Sequence, residues 1–512
     1  MSNSENTPQK FTFSCSAYSI FIHDGRDEKQ PINYSDIAVY SEQLPDWLQT
    51  HESDDNTFIL QSENSVELCC LIAGLFIAGI PFCSIDPTWT PARVIEWTKE
   101  VPQGNYLNSA DITALHAQWL AFLSSHKPSR KELSLTVKST PFAFLFTSGT
   151  SSRPKKIPLR HAQLWAAFQA TQAQVQLSPN LSWGLCLPLH HIGALSIVLK
   201  SLLSHSAISL SSSSDVERWN SWLGGQHNCK VISMVPTQLY NWLEYNRTKK
   251  LSPSISNAFR FIILGGGPAK ATDVKKSENL GWPILLSYGM TETFAHICSV
   301  PASKLPMPLK DPLPVGHMHP GQSLELRANK DSKDLIIWIK GTQIFSPEPS
   351  QNQLQKNFDD QGWFCTGDIG NTDKKGLLYI QARRLDRIVS GGENVAIDWV
   401  IDCLKRHPTV QDCAIIGVAD PKWGQKVVAF IVPNQSILTP DAQNNIETHS
   451  SFAITELEPV IAEKLLQQCR ETSLPLSHHP KEIYYLSALP RTSLGKLNMP
   501  RLQNLYSSTR GK

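Results

Sequence analysis

Hydroxyl groups and basic side chains are concentrated in one short segment behind an apolar run. Phe142–Phe146 has the length and apolarity of a buried strand, and residues 147–155 then read Thr-Ser-Gly-Thr-Ser-Ser-Arg-Pro-Lys. Such a loop offers backbone N–H groups, hydroxyls and positive charge to phosphate oxygens. It is not a P-loop, because that motif needs a glycine directly before its lysine, and Pro154 precedes Lys155. The segment predicts a phosphate-binding loop of another kind, with an ordinary surface loop as the alternative.

Four further segments carry residue types that suit a nucleotide or an acyl phosphate. Leu264–Ala269 reads Leu-Gly-Gly-Gly-Pro-Ala, and three glycines let a backbone approach a flat ligand, although the same run can form a simple turn. Ser287–Thr293 reads Ser-Tyr-Gly-Met-Thr-Glu-Thr, which combines a ring that can stack on a purine with a carboxylate that can hold Mg²⁺. Gly362–Asp368 and Pro490–Lys496 end in an aspartate and a lysine.

These segments, together with Arg383–Asn394, resemble in content and order the motifs of the adenylate-forming superfamily. That superfamily includes acyl-CoA synthetases, luciferases and the adenylation domains of peptide synthetases. The matches run from residue 144 to residue 496. The resemblance implies an AMP-forming acid–thiol ligase with ATP, Mg²⁺ and coenzyme A as cofactor and co-substrates. A carboxylate would attack the α-phosphate of ATP, pyrophosphate would leave, and the acyl group of the acyl-adenylate would pass to a thiol.

The resemblance also implies roles for single residues. Lys496, Thr291, Glu292 and His191 are the expected catalytic residues, and Lys496 would bridge the substrate carboxylate and the α-phosphate. Glu292 and Thr147 are the expected metal ligands, and Asp386 is the expected hinge. The other expected nucleotide and coenzyme contacts are Thr147, Ser148, Gly149, Thr150, Lys155, Gly265, Gly266, Gly267, Pro268, Ser287, Tyr288 (on the adenine), Gly289, Met290, Asp368 (on the ribose hydroxyls), Arg383 (near the ribose), and Gly391 and Gly392 (on the path of the thiol).

The identity of the acid depends on a narrower resemblance. Leu187–Ser196, Met234–Thr237 and Ile388–Val395 are similar to the o-succinylbenzoate–CoA ligases of menaquinone or phylloquinone synthesis. His191 would then lie beside the aromatic acid, with a buried histidine bonded to a backbone carbonyl as the alternative. An acid with two carboxylates calls for a cationic or hydroxyl-bearing pocket, whose residues the spacing does not identify. Another acyl- or aryl-CoA synthetase, a ligase for a carrier protein, and an inactive nucleotide-binding protein are the other possibilities.

The sequence departs from the superfamily pattern at several positions. Lys156 stands where glycine is usual, Ser151-Ser152 replaces Thr-Gly, and Ala382 replaces the glycine before the arginine. Asn394 is followed by Val-Ala-Ile-Asp-Trp. We expect these changes to bear on coenzyme handling or on the hinge, since none falls on a residue assigned to nucleotide, magnesium or the catalytic lysine.

The elements that position these motifs are strand-length apolar runs alternating with amphipathic stretches. This alternation predicts an α/β fold with largely buried sheets. We expect a large N-terminal domain of layered β-sheets and helices over residues 1–385, followed by a small mobile α+β domain over residues 386–512. The uncharged run Leu68–Ile85 reaches the length of a marginal membrane span, but its glycines and proline favour a buried helix followed by a buried strand.

Composition excludes several other classes. The 512 residues carry 47 basic and 45 acidic side chains, so no polyanionic partner such as nucleic acid is indicated. The 11 cysteines include no Cys-x-x-Cys pair, which argues against a zinc ribbon. The glycine run at 265–267 lacks the spacing of a Rossmann dehydrogenase. The N-terminus does not resemble a secretory signal, so a cytoplasmic location is expected, and a homodimer is a superfamily-level expectation.

Overall fold

The computed structural model describes residues 9–13, 20–24, 31–48, 57–99, 105–125, 133–147, 155–305, 308–328, 334–383, 388–395, 397–434, 455–456, 459–472, 474–490, 497 and 499–509. The chain divides into two compact units. The larger comprises residues up to Gln381, apart from 148–154, and the smaller takes in the chain from Ala382 onward.

Over its described residues, the larger unit is an α/β structure with three sheets. Its main sheet has thirteen strands in the order β17-β18-β19-β20-β16-β15-β14-β13-β12-β10-β11-β2-β3, a second sheet has five in the order β6-β4-β5-β8-β9, and β1 pairs with β7. The strands are β1 Gln9–Phe13, β2 Ile20–Asp24, β3 Ile32–Asn33, β4 Phe58–Gln61, β5 Phe82–Ile85, β6 Asn105–Asn108, β7 Leu133–Val137, β8 Ala143–Thr147, β9 Lys155–Leu159, β10 Ser182–Leu185, β11 Ala207–Leu210, β12 Cys229–Met234, β13 Phe261–Leu264, β14 Ile284–Met290, β15 Ala295–Pro301, β16 Pro314–Met318, β17 Gln322–Ala328, β18 Leu335–Gly341, β19 Phe364–Thr372 and β20 Leu378–Arg383.

Helices connect most of the parallel strands of the larger unit, as the alternation of patterns predicts. They are α1 Tyr34–Trp47, α2 Val66–Ala78, α3 Pro91–Thr98, α4 Ser109–Ser125, α5 His161–Val175, α6 Ile192–Ser204, α7 Val216–Leu223, α8 Pro236–Lys249, α9 Ala271–Asn279 and α10 Asn352–Gln355.

The smaller unit has a sheet in the order β22-β21-β24-β26-β25, with β23 on β24. The helices α11 (Ile397–Lys405) and α12 (Pro459–Glu471) pack on one buried cluster of this unit. The elements are β21 Ile388–Ser390, β22 Glu393–Val395, α11 Ile397–Lys405, β23 Val410–Asp420, β24 Gly424–Pro433, β25 Thr455–Glu456, α12 Pro459–Glu471, β26 Glu482–Tyr485 and α13 Met499–Thr509.

The uncharged run predicted as a buried helix and strand is confirmed as α2 and β5. Ser65 accepts a hydrogen bond from the Leu68 N–H at 3.1 Å and begins α2, while Gly79, with φ 71°, ends it in the left-handed conformation. Ten consecutive residues of α2 are buried, so the helix is buried on every side, which is typical of a helix enclosed by other elements. Among the described residues, no helix is long and apolar enough to span a membrane.

The main sheet brings the sequence motifs to one edge. β10, β12, β13 and β14 are parallel neighbours. The segment Leu187–Ser196, which contains His191, follows β10. The glycines at 265–267 follow β13, and Thr291–Thr293 follows β14. Ligands of open α/β sheets bind outside the carboxyl ends of the strands, so this edge is where a substrate is expected.

Candidate active site

Tyr288 and Asp368, which are 80 residues apart in sequence, are in direct contact. The Tyr288 hydroxyl donates to Asp368 Oδ2 at 2.7 Å, and the two residues are 6% and 1% exposed. The backbone N–H of Asp368 also donates to Thr366 Oγ1 at 3.0 Å. The residues expected on the adenine and on the ribose hydroxyls are therefore adjacent, and hydrogen bonds fix the orientation of both side chains.

The glycine run after β13 lies against β14. Ser287 Oγ donates to the Leu264 carbonyl at 3.0 Å, and a Cβ atom on Gly265 would lie only 2.5 Å from that hydroxyl oxygen. Gly266 has φ 77°, in the region that glycine adopts without strain. Gly265 is thus required for this close approach, and Gly266 for the turn that follows it.

A single turn of 3₁₀ helix, Thr291–Thr293, presents the predicted metal and phosphate residues. It is stabilised from inside by Thr293, whose hydroxyl accepts from the Met290 N–H at 2.9 Å and lies 2.6 Å from the Ala295 carbonyl. Gly289 is needed beside it, because a Cβ atom there would lie 1.9 Å from the same carbonyl oxygen.

Contacts from other elements hold the turn in place. The Glu292 carbonyl accepts from the Phe345 N–H at 2.8 Å and from Gln163 Nε2 at 3.2 Å, and Gln343 Nε2 donates to the Thr293 carbonyl at 2.8 Å. The side chains of Thr291 and Glu292 stay partly exposed. One such carboxylate beside hydroxyl oxygens fits Mg²⁺, which is often bound by one or two protein carboxylates together with the phosphates of a substrate.

The predicted phosphate loop connects two paired strands. Thr147 ends β8 and lies opposite Lys155, the first residue of the antiparallel strand β9. Lys156, one of the departures from the superfamily pattern, places its ammonium 4.8 Å from the centre of the Phe144 ring. Ser148, Gly149 and Thr150 lie outside the described residues.

His191 is the N-cap residue of α6 and is partly exposed. Asn64 fixes the segment before it, since its side chain donates to the Leu187 carbonyl at 2.7 Å and accepts from the Leu189 N–H at 2.9 Å. The structure therefore places His191 at the carboxyl edge of the sheet, and its expected role beside the acid stays a prediction.

Lys200, on the same helix, is a residue that the sequence reasoning did not identify. Its side chain is completely buried, and Nζ has no hydrogen-bond partner among the described residues. Burial lowers the pKa of Lys200 to about 7. An unpaired ammonium in the interior costs several kcal/mol, so the lowered pKa favours the neutral amine, and a bound anion would favour the charged form again.

Two buried histidines, His296 on β15 and His319 directly after β16, lie near Lys200. The His296 and His319 rings are 5.2 Å apart, and His296 is the cross-strand partner of Gly289. Burial is the main reason why the pKa of His296 falls well below its usual value and that of His319 falls to about 4, and the nearby Lys200 lowers both further. Hydroxyls of Thr171 and Ser299 lie 3.3 and 3.0 Å from the Nε2 atoms of His296 and His319.

The smaller unit brings cations to its glycine turn. Gly391 and Gly392, with φ 63° and 85°, form the two-residue turn between β21 and β22. The Gly391 N–H donates to the Trp423 carbonyl at 2.9 Å, and the ammonium groups of Lys422 and Lys481 lie 5.1 and 4.5 Å from the centre of the Trp423 ring. The sequence reasoning did not predict this group of an indole and two cations.

Three further expected site residues lie wholly or partly outside the described part of the chain. Arg383 is the last residue of β20, and its side chain is outside the described part of the chain. Asp386 and Lys496 also lie outside the described residues.

Comparison with known proteins gives matches in both parts of the chain. The family model for AMP-binding enzymes matches residues 4–347, and the model for the C-terminal domain of AMP-binding enzymes matches residues 402–496. A 2-succinylbenzoate–CoA ligase of Bacillus cereus is 30% identical over 368 residues, which are 70% of this chain and 69% of that protein. The corresponding enzyme of another strain of the same species is 29% identical over 452 residues, covering 86% of this chain and 87% of that protein.

Solved structures show the same fold. An o-succinylbenzoate CoA synthetase of Bacillus subtilis, a double mutant bound with its product analogue, aligns with a TM-score of 0.75 at 23% identity over 95% of both chains. A malonyl-CoA ligase bound with methylmalonyl-CoA and AMP aligns with a TM-score of 0.71 at 20% identity, over 93% of this chain and 97% of that one.

Proposed function

The chain belongs to the AMP-binding enzyme family, and from this premise we propose that it joins o-succinylbenzoate to coenzyme A through an acyl-adenylate. The relatives named 2-succinylbenzoate–CoA ligase support this substrate, and so does one observation in the larger unit. The buried ammonium of Lys200 has no hydrogen-bond partner among the described residues and is flanked by two histidines, as a second carboxylate of the acid would require.

The first half-reaction needs alignment and charge neutralisation, and it needs no covalent nucleophile from the protein. We assign Tyr288 to the adenine, Asp368 to the ribose hydroxyls and Thr291 to the α-phosphate. Mg²⁺, when bound at Glu292 with Thr147, would withdraw charge from the phosphate oxygens. The acid's carboxylate oxygen then attacks the α-phosphorus, the bond to the pyrophosphate oxygen breaks, and Lys496 neutralises the charge shared by the two reacting groups.

The second carboxylate explains the cost of burying Lys200. α6 follows His191, which is assigned to the aromatic acid, and it contains Lys200. Lys200 interacts electrostatically with His296 on β15, the strand that pairs with β14. A buried carboxylate beside this cluster would raise the pKa of Lys200 and keep its ammonium charged. A monocarboxylic acid would leave the cluster of Lys200 and the two histidines without a counter-ion, so the cluster would select against it.

The acceptor is best explained as free coenzyme A. Trp423, Lys422 and Lys481 surround the glycine turn that we assign to the path of the thiol, and an indole with two cations suits the base and phosphates of an adenosine nucleotide. A carrier protein would present only a phosphopantetheine arm at this point.

The boundary at residues 385 and 386, rotation about Asp386, a homodimer and a cytoplasmic location remain predictions from the sequence.

Changing Tyr288 to phenylalanine is expected to raise the KM for ATP about 10-fold, since it removes one hydrogen bond to a charged group and keeps the ring. The measurement is pyrophosphate release at varied ATP concentration. Tyr245→Phe is the matched control, because it removes a hydrogen bond of the same length, 2.7 Å, to Glu217 at a site unrelated to the nucleotide. An unchanged KM for ATP in Tyr288→Phe would contradict the assignment.

Lys481→Ala is expected to raise the KM for coenzyme A about 5- to 10-fold, because it removes a charge-assisted contact with phosphate. The expected loss is smaller with dephospho-coenzyme A if the 3′-phosphate is the contact. Lys405→Ala is the control, since Lys405 belongs to the same unit and pairs with Asp412 at 2.7 Å. Equal kinetics of Lys481→Ala and Lys405→Ala would refute this coenzyme site.

The proposed function is tested by pyrophosphate release with a panel of acids, each with and without coenzyme A. Release with o-succinylbenzoate, together with its coenzyme A thioester in the mass spectrum, is the expected result. Release with benzoic, cinnamic or fatty acids in preference to o-succinylbenzoate would replace the substrate and keep the chemistry. Absence of release from every acid, with ATP still bound, would favour an inactive nucleotide-binding protein.

A further inference from the structure

Two cysteines of the smaller unit face each other across two helices. Cys403 lies in α11 and Cys469 in α12, and their Sγ atoms are 3.7 Å apart. They are 2% and 0% exposed. A disulfide needs an S–S distance of about 2.05 Å, so the two sulfur atoms would have to approach each other by less than the radius of one sulfur atom.

The surroundings of this pair are polar on one side. Thr472 Oγ1 lies 2.9 Å from Cys403 Sγ, and Gln468 Nε2 donates to the Cys403 carbonyl at 2.7 Å, which holds the ends of the two helices together. The contact with the Cys469 thiol, the Thr472 hydroxyl and the charge of Arg406 lower the pKa of Cys403, and the same contact raises the pKa of Cys469. Burial instead raises the pKa of Cys413, in the same unit, to about 12.

We propose that Cys403 and Cys469 form a reversible intramolecular disulfide when the protein is exposed to a hydroperoxide. The Cys403 thiolate attacks the peroxide and the O–O bond breaks; the leaving hydroxide (or alkoxide) takes up the proton that Cys403 released on ionising, which gives a sulfenic acid and one water (or alcohol). Cys469 loses its proton and attacks this sulfur; the S–S bond forms, the S–O bond breaks, and a second water leaves. Two thiols are oxidised by two electrons in total, and one peroxide is reduced.

The disulfide would stabilise the smaller unit by cross-linking two of its helices. It would join positions 66 residues apart, and a cross-link of that span restricts the unfolded chain. It would also tie α11, which begins two residues after β22, to α12. The oxidised protein should therefore unfold at a higher temperature than the reduced protein. This inference does not depend on which acid the enzyme uses.

The test uses the full-length protein, reduced, freed of reductant and treated with one to a few equivalents of hydrogen peroxide at pH 7.5. Free thiols are then alkylated and peptides are analysed by mass spectrometry. The expected product is a peptide pair linked through Cys403 and Cys469, two mass units lighter than its thiols and reversed by dithiothreitol. Cys413→Ser should still form it, whereas Cys403→Ser and Cys469→Ser should not.

Thr472→Val supplies a second measurement that a fold defect would not mimic. It removes the hydroxyl near Cys403 and keeps a side chain of similar shape, so cross-linking should slow several-fold while the unperturbed fold is retained. Oxidation confined to the partly exposed Cys365, or conversion of Cys403 to sulfinic acid without a cross-link, would overturn the proposal.

Discussion

Replacing Lys200 by methionine is expected to raise the KM for o-succinylbenzoate about 10²- to 10³-fold, the effect typical of removing one partner from a buried charge pair. Methionine has nearly the volume of lysine and no charge, so the side chains packed around position 200 keep their places. The KM for a monocarboxylic benzoate should stay the same or decrease. The measurement is pyrophosphate release with both acids, and an equal change for the two would refute the role of Lys200 in recognising the second carboxylate.

The same variant separates recognition from folding. An ionised lysine without a partner destabilises the interior, so Lys200→Met should unfold at a higher denaturant concentration than the wild type. The pKa of Lys200 is lowered from 10.5 to about 7 in the folded chain, so the unfolded chain binds more protons between these values. The free energy of unfolding of the wild type therefore decreases because of this group as the pH falls from about 10.5 towards 7. Lys200→Met should not show this part of the pH dependence.

Proton uptake provides an independent check of the same idea. At pH 8 the lysine of the free enzyme is mostly neutral, and a bound carboxylate would draw a proton to it. Titration calorimetry in buffers of different ionisation enthalpy should show uptake of up to one proton by the wild type. Uptake by Lys200→Met to the same extent would assign the proton to another group.

The sequence and the structure agree best where the chemistry depends on residues close together in the chain. The uncharged run Leu68–Ile85 predicts a buried helix and a buried strand, which are found as α2 and β5. Gly265, in the predicted glycine run, is required because a Cβ atom there would lie 2.5 Å from the Ser287 hydroxyl oxygen. Predicted bounds are off by one residue where strand pairing decides them. The strand predicted over Phe142–Phe146 is β8, which runs from Ala143 to Thr147 because Thr147 still pairs with Lys155 of β9.

The contacts that were not predicted join residues far apart in sequence. Tyr288 and Asp368 were each assigned to the nucleotide, but their mutual hydrogen bond depends on the packing of β14 and β19. No sequence motif singled out Lys200. The available signal was that its helix is apolar on all sides, which is typical of an enclosed helix, so a lysine inside it had to be buried.

Lys496→Ala is expected to lower the rate of acyl-adenylate formation by about 10²- to 10³-fold, the loss seen when one preorganised charge or hydrogen-bond donor is removed from a developing anion. Thioester formation from supplied acyl-adenylate should change only a few-fold. Lys481→Ala should show the reverse, with normal pyrophosphate release in the absence of coenzyme A and a weakened second step. Single-turnover measurements of each half-reaction in both variants decide the matter. If each lysine slowed both half-reactions alike, the two would serve a common step, and the division of work between adenylation and thiol transfer would be wrong.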